Sequence, residues 1–145
     1  MKTSIFKAAI FLIVTLPSYV IADVEIILLI NNKPPGAVTT DIRAIKSMFC
    51  LRTKTWTNHL PVVVYVLPPE TPASESFSRK LFNVHSYQLE RAWDRELFSG
   101  GASRPIVVLP EHMLQAVRST PGAIGYVERA SFNESDSALK FLVIP

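Results

Sequence analysis

The chain has 145 residues, 48% of them hydrophobic and 19% charged, with a formal net charge of +3. Its basic residues are scattered rather than clustered, which excludes the electrostatic footprint of a nucleic-acid binder. Cys50 is the single cysteine, so no intramolecular disulfide forms, and His59, His85 and His112 fall in separate segments without the ligand spacing of a zinc site.

Residues 1–22 read as a secretory signal. Lys2 and Lys7 give a basic start, Ala8 to Leu16 an apolar stretch, and Val20-Ile21-Ala22 a small-residue cleavage pattern. An uncleaved anchor is the alternative, but Pro17 and Ser18 interrupt a stretch already short for a membrane span. Cleavage after Ala22 removes two of the three net positive charges and leaves residues 23–145, one modest domain. Cys50 lies far from that point and so cannot be a lipid-bearing first residue. It reads as a small buried residue ending a helix, with pairing between chains as the alternative.

Val24 to Ile30 is an aliphatic run suited to a strand buried on both faces. Asn31 to Gly36 breaks it, and Thr39, Thr40 and Asp41 supply capping groups for a helix with Ile42, Ile45 and Phe49 on one stripe. Arg43, Lys46 and Arg52 lie off that stripe. A polar turn containing Trp56 leads to a second buried strand, Pro61 to Leu67. Thr71 and Pro72 make an N-cap and first-position pair for a helix with Phe77 and Leu81 inward. Ser86 is placed to cap the next helix, in which Leu89, Ala92, Trp93 and Leu97 recur at helical spacing until Ser99-Gly100-Gly101.

A third strand covers Ile106 to Leu109, and Pro110 opens a helix with Leu114 and Val117 inward. Pro121-Gly122 then forms a turn needing a positive φ, and Gly125 marks a strand that another backbone or a ligand approaches closely. A last strand spans about Leu139 to Ile144. The order β-α-β-α-α-β-α-β-β with apolar strands predicts an α/β fold, a largely parallel sheet flanked by helices.

Catalytic signatures are missing: there is no G-x-S-x-G elbow, P-loop or G-x-G-x-x-G. Glu70 and Glu75 read as first-turn helix charges, and Glu90 and Asp94 as a solvated face alternating with Arg91 and Arg95. Asn133-Glu134-Ser135 matches a glycosylation sequon. Neither an enzyme nor a cofactor is expected.

Five segments in order carry a resemblance. They are Asp41 to Phe49, the Trp56-Thr57-Asn58 turn before Val62 to Val66, the helix with Phe77, the helix with Trp93 ending in Phe98-Ser99-Gly100, and Pro121 to Tyr126 after Val117. Together they resemble phosphate ABC-transporter substrate-binding proteins of the periplasmic-binding-protein-like type II fold, over roughly Val24 to Val127. The resemblance implies one lobe of a two-lobed binder that closes on its ligand, and a periplasmic location in a Gram-negative bacterium. Ligand held in a cleft would then need a partner chain, a homodimer or a shallower site.

The family's phosphate loop resembles R-S-D-G-S-G-T before the helix with the inward Phe. Here Leu67 holds the arginine position, Pro69 the acidic one, and Thr71-Pro72-Ala73 stand for Ser-Gly-Thr. Each lost donor or charge costs about 1–3 kcal/mol of affinity, so tight phosphate binding is not implied. What remains is a weak anion site at a helix start, built from Thr71, Ala73, Ser74 and Ser76, with Arg43 and Arg104 as charge partners if the fold brings them near. The expected ligand is a small anion such as phosphate, in a transport context. The second expectation is a non-catalytic interaction or sensory module, docking on a membrane transporter or sensor after losing its ligand.

Overall fold

The computed structural model describes residues 23–33, 39–101 and 103–144, so the leader and the Pro34 to Gly36 half of the Asn31 to Gly36 break lie outside the described residues. Within them the chain runs β1 (Ile26–Asn31), α1 (Ile42–Phe49), β2 (Val63–Val66), α2 (Pro72–Phe82), α3 (Ser86–Phe98), β3 (Ile106–Val107), α4 (Pro110–Ser119), β4 (Ala123–Glu128), a 3-10 turn at Arg129–Ser131 and β5 (Leu139–Ile144). This is the predicted order of elements.

The strands form one mixed sheet in the order β3-β2-β4-β1-β5. β2 pairs parallel with β3 and β4, while β1 pairs antiparallel with both β4 and β5. Four strands therefore point one way, and β1 alone runs against them. Ile26 to Ile30 are fully buried, because β1 has a neighbour along each edge and helices over its faces. Each such side chain contributes about 1.5–3 kcal/mol.

Successive residues of a strand face opposite sides of the sheet. Tyr126 stacks on Phe77 of α2 and meets Phe49 of α1 edge-on. Its neighbour Gly125 faces α4, where an added Cβ would lie 2.7 Å from Met113 Sδ and 2.8 Å from Val117 Cγ2. Helices α1 and α2 thus cover one face and α4 the other. Gly125 admits the Met113 and Val117 side chains of α4 against the sheet. Helix α3 packs on α2 and reaches α1 through Trp93 Nε1, which donates to the Phe49 carbonyl at 2.7 Å.

Several local expectations change. The N-cap of α3 is His85, with Ser86 its first helical residue, and Gln88 Oε1 accepts from the His85 N–H at 2.8 Å. The second strand is shorter than predicted, because Val62 donates to Lys54 outside the ladder. Ile42 and Leu97 lie exposed at the outer ends of their stripes, and Met113 is buried more deeply than Leu114. The apolar run Ile106 to Leu109 is an exposed edge rather than a buried strand, since β3 lies at the margin of the sheet. Gly122 has the expected positive φ, 77°, and its carbonyl accepts from Trp56 Nε1 at 3.0 Å. Cys50 ends α1 half-buried, with burial pushing its thiol pKa up.

Candidate functional site

Helix α2 starts just beyond the carboxyl end of β2, the end of a parallel strand pair at which α/β sheets collect ligands. Thr71 is its N-cap because Pro72 fixes the first helical φ and needs no acceptor. Thr71 Oγ1 accepts from the Ser74 N–H at 3.2 Å and donates to the Pro68 carbonyl at 2.7 Å.

The structure places Thr71, Ala73 and Ser74 on the first turn of α2 and Ser76 at the start of the second, with Ala73, Ser74 and Ser76 buried. Their hydroxyls serve the fold. Tyr126 donates to Ser74 Oγ at 3.2 Å, and Tyr126 Oη accepts from the Leu67 N–H at 3.1 Å. Ser76 Oγ accepts from the Val24 N–H at 3.2 Å, fastening the start of the described chain to the helix. Among the described residues nothing accepts from the Ala73 N–H, which leaves it as a first-turn donor at the positive end of the helix dipole.

Arg43 and Arg104 do not join this cluster. Arg104 pairs with Asp94 at 3.1 Å, and among the described residues neither arginine is hydrogen-bonded to the start of α2. Arg129 follows β4 and is held by Glu25 at 3.7 Å and Glu134 at 2.7 Å. The charge that Leu67 fails to supply is therefore not restored by any of these three side chains.

Sequence reasoning missed Tyr126 as the polar partner of this turn. It is fully buried, and burial pushes its phenol pKa up to about 12, outweighing the hydrogen bonds with Ser74 and Leu67. The signal was present as a tyrosine in an otherwise apolar strand, since a buried Tyr hydroxyl needs a partner. Also missed was the clasp between α2 and α3. Glu75 Oε2 accepts from the Ser86 N–H at 2.9 Å, and Glu75 Oε1 meets His85 Nδ1 at 2.6 Å. The Ser86 amide, above all, holds the Glu75 carboxyl below its usual pKa.

Among the described residues there is no group of three or more His, Cys, Asp or Glu that could hold a metal ion, and no helix long and apolar enough to cross a membrane.

No family model matches the sequence, and no curated protein does. Solved structures share the fold, two of them as follows. One is an ABC-type phosphate transport receptor from Vibrio cholerae, with TM-score 0.59 and 13% identity over 82% of this chain and 45% of that one. The other is described as a possible phosphate binding protein from Planctomyces limnophilus DSM 3776, with TM-score 0.59 and 16% identity over 82% of this chain and 40% of that one. The chain thus spans less than half the length of either. At these identities the likeness is one of fold, and it is the phosphate-binding-protein-like lobe that the five sequence segments implied.

Proposed function

We propose that the protein is an exported, single-domain relative of the periplasmic substrate-binding proteins, comprising residues 23–145 after loss of residues 1–22, and that it recognises a small anion such as phosphate in a transport context. The observation that carries this reading is the first turn of α2, which opens at the carboxyl end of β2 with the Ala73 N–H unclaimed among the described residues. The fold shared with two proteins described as phosphate-binding or phosphate-transporting adds support. Binding is weak, because one backbone donor and a helix dipole replace a loop rich in donors and an arginine.

Isothermal titration of the purified protein with phosphate and with sulfate tests it. Saturable heat at millimolar anion is expected. Absence of heat, in a protein whose fold is intact, counts against it.

A second reading has its own support. The hydroxyls of Thr71, Ser74 and Ser76 are already engaged inside the fold, as in a capping cluster retained for stability. In that reading the domain docks on a membrane transporter or sensor without a ligand, and titration is silent while the fold is intact.

A further inference from the structure

A cavity of about 590 Å³ lies at the other end of β2, between the turn after α1, the entry to β2 and the segment before β3. Its size falls within the about 300–1,000 Å³ typical of small-molecule sites. The walls are apolar, formed by Met48, Leu51, Val62, Val64 and Ile106. The charged residues that line it are both cationic, Lys54 and Arg104.

Their surroundings leave these cations available. Among the described residues no carboxylate pairs with Lys54, and its ammonium sits over Gly101, where an added Cβ would lie 3.0 Å from Nζ. Arg104 has one nitrogen on Asp94 and is half-exposed, so most of its five N–H donors remain for a ligand. The wall itself carries strain. Leu51 has φ of 61° in the turn after α1, where a side chain is disfavoured and glycine or asparagine is usual. That conformation sets an aliphatic side chain against the cavity, and strain of this kind gathers at ligand sites.

We propose that this cavity binds a small amphipathic anion, its apolar body against Met48, Leu51, Val62, Val64 and Ile106 and its anionic head between Lys54 and Arg104. The site is independent of the start of α2. An apolar wall with two cations favours a carboxylate on a hydrocarbon or aromatic body over an inorganic anion, which would leave the wall unused.

Octanoate is the probe, titrated into the purified isotope-labelled protein and followed by the methyl resonances of Met48, Leu51, Val62 and Val64. Saturable shifts of these signals are expected, with inorganic phosphate failing to reproduce them. Lys54→Glu and Arg104→Glu should each weaken octanoate by at least about tenfold, as loss of a charge-assisted contact implies. Both positions are exposed, so the variants retain the fold, and unchanged amide spectra away from the cavity verify this. Ile106→Asp, at an exposed edge position, should abolish binding separately by placing a like charge in the wall. Octanoate without saturable shifts at millimolar concentration would overturn the proposal. So would octanol binding as tightly as octanoate, or affinity unchanged in both charge-reversed variants.

Discussion

The hydroxyl of Tyr126 donates to Ser74 Oγ at 3.2 Å, joining β4 to the first turn of α2 across 52 residues of sequence. The same oxygen accepts from the Leu67 N–H, and the ring lies flat on Phe77 with centroids 3.8 Å apart. One side chain thus fixes the exit of β2, the start of α2 and the packing between α2 and the sheet.

Tyr126→Phe keeps the ring stack and removes the relay, leaving the buried Leu67 N–H without its acceptor. Urea unfolding at neutral pH should show a loss of about 1–3 kcal/mol. The alkaline behaviour differs too. The folded phenol titrates at about 12, above the about 10 of an unfolded tyrosine. Stability tied to the neutral phenol is therefore complete below the unfolded value and is lost as pH rises through the folded one. The advantage of the native protein over Tyr126→Phe should shrink as pH rises above about 10.

Gly125→Ala tests the packing of α4. The new methyl would press on Met113 Sδ, which can yield, and on Val117 Cγ2, a stiff branched side chain that cannot easily. Overpacking of this kind costs about 1–3 kcal/mol, read as a lower urea midpoint. Gly122→Ala should be worse, since its φ is 77° and the added carbon would meet the Pro61 carbonyl oxygen.

Glu75→Gln tests the clasp on α3. The native carboxyl is held below its usual pKa by the Ser86 amide first and by His85 after it. Its contribution is present above the ordinary carboxylate range and is lost as pH falls through the depressed folded value. Unfolding curves of the variant and the native protein should therefore separate by about 1 kcal/mol at neutral pH and converge in acid. A gap that persists unchanged at low pH would assign the clasp to packing.

Export is tested by the N-terminus of the protein recovered from cells that produce it. Mass spectrometry should find Asp23 first, whereas retained Met1 would replace a cleaved signal with an anchor.

The succession of elements was legible because it is local. The aliphatic run Ile26 to Ile30, the Thr71-Pro72 start and the Pro121-Gly122 turn each state their conformation within a few residues. The direction of β1 was not, because pairing with β4 and β5 rests on contacts about a hundred residues away, which no period encodes. Ile106 and Val107 show a related limit, since an apolar pair looks the same in a sheet centre and on its edge. At the candidate site the hydroxyls of Thr71, Ser74 and Ser76 could be listed from sequence, but their partners Tyr126 and Val24 are brought in only by the fold.

The start of α2 as an anion site is tested most directly by a phosphate titration followed through the backbone amides of the labelled protein. Saturable shifts centred on the Ala73 N–H signal are the predicted result, since the Ser74 N–H already donates to Thr71 Oγ1. Amides of that turn unmoved at millimolar phosphate, in a protein whose spectrum is otherwise that of an intact fold, would contradict it.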